Sequence, residues 1–251
     1  MHYIKTTITI ITVALMVAFT AQSQTQKTID SDRPGQSFTP HTVGSGVLQL
    51  QSGLNFRAVG NDQTDNIISN LTNLRFGIAD RFELNGTIGY GINSTPNETL
   101  NGINNLRLGA RYNFSEQNDY TPGFGVNVDF LFALGTEVYN DPKEDVNATF
   151  ILTQKVSDKI NAATNVSVYY DQLSGDILTP FTLNGSYSVS ENTTVFAEIY
   201  GELQPDFVVN FDFGGTYLVS EDFLADFAIG IEDRALATDV WFEAGISYRW
   251  K

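Results

Sequence analysis

Eight charged side chains carry most of the chemistry this sequence offers. Arg57, Arg75, Arg107 and Arg111 stand in its first half and Glu198, Asp212, Asp226 and Glu243 in its last quarter, each between apolar neighbours. A charge flanked by apolar residues suits a β-strand with one wet and one oily face. If the wet faces enclose a common interior, cations line one wall and carboxylates the opposite arc. Such a transverse field orients polar solutes in a narrow pore, and rings of charge set which of them pass. The same groups could instead pair with one another and with the N-terminal extension, plugging the interior. Both readings stand on sequence alone, and Glu83, Asp129, Lys155 and Arg249 blur the segregation. Tyr169, Phe196, Tyr200 and Trp241 share the inward positions, where they either line a path for an apolar or aromatic solute or pack together.

Catalysis finds little footing. A serine hydrolase needs a base beside its nucleophile. The two histidines are His2, at the extreme N-terminus, and His41, in a stretch without periodicity where it reads as a surface residue. There is no His-x-x-Glu-His or related metal spacing and no cysteine, so neither a metal site nor a disulfide is expected. The acidic run Asn140-Asp141-Pro142-Lys143-Glu144-Asp145 lacks a calcium-loop pattern and reads as solvated loop. The expectation is a non-enzyme without a cofactor.

The elements that would position these residues repeat one pattern. In the last stretch Val240, Phe242, Ala244, Ile246, Tyr248 and Trp250 alternate with Trp241, Glu243, Gly245, Ser247 and Arg249. Leu106, Leu108, Ala110, Tyr112 and Phe114 likewise alternate with Asn105, Arg107, Gly109, Arg111 and Asn113. Similar strands are predicted from Val47, Asn73 and Phe82, and over 124–134, 148–156, 160–170, 181–189, 193–201, 208–219 and 223–231, about twelve in all. Connections after even strands are mostly tight, and three share a Val-Ser-acid motif: Val156-Ser157-Asp158, Val189-Ser190-Glu191 and Val219-Ser220-Glu221. Those after odd strands are mostly longer and rich in Asn, Asp, Gly and Pro, as at 93–101 and 135–145. Phe76, Tyr112, Phe114, Tyr217, Tyr248 and Trp250 crowd the tight-turn end of the oily face, and Phe56, Tyr90, Tyr170 and Phe242 the other. Short turns on one rim, long loops on the other and two aromatic girdles are the marks of a transmembrane barrel.

Residues 1–23 form a separate unit: Lys5, an apolar core over 8–19 and Ala21-Gln22-Ser23 read as a secretory signal. Residues 24–45 read as an N-terminal extension that could lie in the lumen, and 46–251 as one β-barrel domain. The formal net charge of −15 argues against nucleic acid and against a polybasic hold on anionic lipid. A secreted β-sandwich would show the same alternation, but would not need the turn rhythm or the rim aromatics. Twelve strands fall between the eight that side chains fill and the sixteen that leave an open channel, so a narrow or partly plugged lumen is expected.

The segment Asp30-Ser31-Asp32-Arg33-Pro34-Gly35-Gln36-Ser37, with Gly46-Val47-Leu48-Gln49-Leu50-Gln51-Ser52-Gly53 and the terminal Tyr248-Arg249-Trp250, resembles an outer-membrane transporter family. That family is named for the meta-pathway of phenol degradation. Gly35 and Ser37 depart from its usual acidic residue and threonine, and Lys251 follows the final aromatic. The resemblance implies passage of small, hydrophobic or aromatic compounds across the outer membrane of a Gram-negative bacterium.

The sequence thus leads to an all-β, up-and-down outer-membrane barrel acting as a passive channel for small solutes. Its partners would be outer-membrane lipid, the solutes themselves and the barrel-assembly machinery. The alternative is a closed-lumen barrel with a structural or adhesive role through its loops.

Overall fold

The computed structural model describes residues 26–59, 65–95, 97–132, 145–170, 175–204, 206–234 and 237–251. The segment over 1–23 that reads as a secretory signal and the loop over 135–144 therefore lie outside the described residues.

Twelve antiparallel strands follow one another around a closed sheet. They are β1 (Leu48–Val59), β2 (Asp65–Ala79), β3 (Phe82–Ser94), β4 (Thr99–Ser115), β5 (Gly123–Leu131) and β6 (Asp145–Lys155). The second half holds β7 (Ile160–Tyr170), β8 (Ile177–Leu178 and Pro180–Ser188, interrupted at Thr179) and β9 (Thr193–Glu202). The last three are β10 (Val208–Ser220), β11 (Phe223–Arg234) and β12 (Ala237–Trp250). Each pairs with its successor, and β12 returns to β1 with Leu48 opposite Trp250 and Ala58 opposite Val240. Closure removes both sheet edges, so every strand finds backbone partners on two sides within the lipid.

Burial separates barrel from sandwich. Gln49 and Gln51 are 1% exposed and Glu83 is 0%, whereas Leu54 and Phe56 are 48% and 45%. A sandwich would bury the apolar set and wet the polar one; here the order is reversed, as a bilayer requires. Aromatic rims accompany it, with Tyr248 and Trp250 4.7 Å apart edge to face and Phe114 stacked on Phe124 at 5.2 Å.

The Val-Ser-acid turns have a local cause. Ser157 Oγ accepts from the amides of Lys159 and Ile160 at 3.3 and 3.1 Å, Ser190 Oγ from Asn192 at 3.3 Å, and Ser220 Oγ from Asp222 at 3.4 Å. Each serine thereby satisfies amides that the turn takes out of the ladder. The preceding valines, 52–62% exposed, face lipid.

Two boundaries differ from the sequence expectation. The pairing of β3 with β4 runs out to Ser94 opposite Thr99, so 93–94 and 99–101 belong to the strands rather than to a loop. Its turn is closed by Thr95 Oγ1, which accepts from Glu98 N at 3.1 Å. β2 begins at Asp65, eight residues before the clean alternation at Asn73, because backbone pairing with β1 persists where side-chain pattern fades.

Candidate functional site: the lumen and its N-terminal hairpin

Residues 26–47 form no strand with the wall. They enter the lumen from the tight-turn rim and return to it. Arg249 fixes the way in, donating to the carbonyls of Lys27 and Thr28 at 2.8 and 3.2 Å, while Ile29 N donates to Glu221 O at 2.7 Å. On the way out Gly46 N donates to Gly77 O at 2.8 Å and Gly77 N to Val47 O at 3.0 Å. A Cβ at Gly77 would sit 1.7 Å from Gly44 O, so only glycine lets the two backbones cross there.

The tip is held by polar side chains of the wall. Gly35 N donates to Glu243 at 3.0 Å, Gln36 N to Glu198 at 2.7 Å, and Phe38 N to Asn165 at 2.7 Å. Ser37 Oγ reaches both Thr182 Oγ1, at 2.8 Å, and Glu198. These buried carboxylates thus accept hydrogen bonds from a segment with no ladder of its own.

Asp32 and Arg33 divide the field of the lumen between them. The Asp32 carboxylate takes a two-point bond from Arg111 at 2.9 and 2.7 Å and lies 3.4 Å from Arg75. Arg75 in turn grips Glu83 at 2.8 and 3.0 Å and donates to His41 O at 2.7 Å. Arg33 faces the opposite arc, 3.1 Å from Asp226 and 3.7 Å from Glu243. A Cβ at Gly53 would lie 2.1 Å from the Arg33 guanidinium, so β1 leaves a flat seat for it.

Of the remaining sequence candidates, Arg57 pairs two-pronged with Glu232 and lies 3.6 Å from Asp239. Asp212 is buried opposite Glu198 across the β9–β10 ladder. Arg107 lines the loop-side cavities. Phe196, Tyr200 and Trp241 pack together around Ala228, with Trp241 Nε1 donating to Tyr200 Oη at 3.0 Å and that hydroxyl donating to Glu232 at 3.1 Å. Tyr169 lines a loop-side cavity that it shares with Tyr200.

Several wall carboxylates escaped the sequence reading, Asp145 and Glu202 at a loop-side cavity among them. Glu232 and Asp239 each lie one residue beyond a strand boundary drawn at Ile231 or Val240; carrying the alternation one step further finds both. His41 corrects an expectation more sharply. It is not a surface residue of a loose extension: its Nδ1 lies 2.8 Å from Asp30 and its Nε2 3.5 Å from Glu116, tying the two limbs of the hairpin together. Thr39 Oγ1 adds a 2.6 Å bond to the same carboxylate.

Burial opposes the charge on both members of the Asp30–His41 pair, yet their attraction prevails. The hydrogen bond and charge of His41, with Thr39 and Arg75, bring Asp30 down to about 2. The hydrogen bond and charge of Asp30, with Glu116, hold the His41 imidazolium above its ordinary value although Arg75 works against it.

Cavities of about 520 and 510 Å³ lie toward the loops and one of about 450 Å³ toward the turns. Phe38 borders all three, and Arg33 two of them, so the hairpin stands between the two halves of the lumen.

No curated protein sequence matches the chain. Among solved structures, the COG4313 outer membrane channel from Pseudomonas putida F1 superposes with a TM-score of 0.67 at 12% identity, covering 87% of this chain and 99% of that one. The KdgM porin superposes with a TM-score of 0.54 at 12% identity, covering 79% and 99%. The NanC porin gives 0.54 at 12%, covering 79% and 98%. These likenesses agree with the closed barrel described above. A family model described as "Putative MetA-pathway of phenol degradation" matches residues 31–250, and the chain, an outer-membrane porin-like β-barrel, belongs to that family.

Proposed function

We propose that the chain is a passive outer-membrane channel for small solutes, held shut by its own N-terminal hairpin until the hairpin shifts toward the turn rim. The observation that carries this reading is the pair of cavity systems on either side of a segment joined to the wall by no strand ladder. A segment fixed by side-chain contacts can move without breaking the barrel. In this reading Arg75, Arg111, Glu198, Asp226 and Glu243 hold the gate, and Arg57, Arg107 and Asp212 complete the charged lining that filters solutes. The family's description supports an aromatic solute, for which Tyr169 and Tyr200 at one loop-side cavity and Phe196 at the turn-side one offer surfaces.

The density of ion pairs around Asp32 and Arg33 favours a second reading, a permanently closed barrel with a structural or adhesive role. Liposome swelling with solutes of graded size, simple phenols included, separates them. The channel reading expects swelling that slows with solute size and conductance steps that change when Arg107 and Arg111 are made neutral. Vesicles that never swell, with silence at every voltage, would leave the closed barrel.

Closure should also depend on pH. His41 is raised on folding, so its contribution is complete below about 6.5 and disappears as pH rises through its folded value. Asp30 is lowered, so its share is complete above about 3.8 and disappears as pH falls through about 2. Open probability in planar bilayers is therefore expected to rise on the alkaline side, and His41→Gln to flatten that rise. An unchanged pH profile in the variant would separate His41 from closure.

A further inference from the structure

The hairpin meets the wall as a bound solute would. Within two consecutive residues it presents a carboxylate to Arg111 and Arg75 on one side and a guanidinium to Asp226 and Glu243 on the other. Two further amides and a hydroxyl, from Gly35, Gln36 and Ser37, serve Glu243 and Glu198. Gly53 supplies the bare surface on which the guanidinium rests.

We infer that this seat is the channel's solute-selecting site. Its ligand class is an amphoteric solute bearing a carboxylate and a guanidinium or ammonium group about one residue apart, and Asp32-Arg33 is an intramolecular stand-in that the solute replaces. The inference rests on the passive-channel reading above, but assigns the seat an amphoteric solute in place of the aromatic one. Its physical basis is the cost of leaving desolvated charges unpaired. A simple anion in the seat would leave Asp226 and Glu243 facing each other without a cation. A simple cation would leave Arg75 and Arg111 sharing Glu83 alone. An uncharged aromatic would strand both groups. Asp226 and Glu243 together outnumber the single Arg33 that faces them, so among amphoteric solutes the seat favours those with surplus positive charge.

The test uses the full-length chain carrying Asp32→Ala and Arg33→Ala, which empties the seat of its two charges but keeps the hairpin's length. Heat-modifiable gel migration checks folding, and planar-bilayer current is read with end-blocked dipeptides. N-acetyl-Asp-Arg-amide is expected to block the variant at a concentration at least tenfold below that needed with N-acetyl-Asn-Gln-amide. Wild-type channels, whose seat is filled, should show at least tenfold weaker block by the charged peptide. Should the double variant not fold, Arg33→Ala alone leaves the Asp32–Arg111 pair in place. N-acetyl-Arg-amide should then block it at least tenfold better than N-acetyl-Gln-amide. Current that flows but is blocked equally by charged and neutral peptides overturns the seat while sparing the channel. Absence of current in wild type and in every folded variant overturns the channel, and the seat with it.

Discussion

Arg75→Met is expected to destabilise the barrel by about 3–5 kcal/mol, the usual cost of removing one partner of a buried ion pair. Arg75 is 1% exposed and its two-point partner Glu83 is 0% exposed. Without Arg75, Glu83 keeps only the Val43 amide at 2.9 Å and an Arg111 nitrogen at 3.7 Å. The carbonyl of His41 also loses its shorter donor and keeps Arg111 Nη1 at 3.3 Å. The variant Arg75→Met/Glu83→Gln should be less damaged than Arg75→Met alone, because no isolated charge is then left buried. Urea unfolding in detergent, followed through Trp241 in the wall, measures both. A single variant within about 1 kcal/mol of wild type would mean that this network does not hold hairpin and wall together.

The barrel was legible because its cause is local. Alternation at Leu106–Phe114 or Val240–Trp250 needs no distant information, since each side chain's neighbours in sequence fix the face it takes. The serine turns were legible for the same reason: Ser157, Ser190 and Ser220 act on amides two or three residues away. Strand order sets Arg75 and Arg111 on β2 and β4 and Asp226 and Glu243 on β11 and β12. A plug formed by the N-terminal extension is one of two readings the sequence allows, but its hairpin path could not be read. Its conformation comes from partners as remote as Asp226 for Arg33 and Glu198 for Gln36, with no periodicity to announce them. The family motif marked Asp32 and Arg33 as notable but gave them no partners. His41 looked inert because its role depends on Asp30 and Glu116 arriving beside it. Glu83, which seemed an exception to the charge segregation, is the carboxylate that lets two arginines share one wall.

The second large effect concerns the gate itself. Ser37 Oγ at the hairpin tip lies 2.8 Å from Thr182 Oγ1 on β8. Cysteines at these two positions would place their sulfurs near the roughly 2.05 Å separation of a disulfide after a small adjustment. The natural chain contains no cysteine, so the introduced pair has no competing partner. The bond would tie the tip to the wall and leave every strand pairing in place. Loss of the Ser37 hydroxyl also removes a bond to Glu198, so the reduced form should be at least as free to open as wild type.

The most direct measurement is therefore the single-channel current of Ser37→Cys/Thr182→Cys before and after reduction. Oxidised protein should be silent while still migrating as a folded barrel, and a reductant should restore stepwise current in the same bilayer. Equal current in the oxidised and reduced states, with the disulfide confirmed by mass, would contradict the claim that solutes pass only when the hairpin leaves its place.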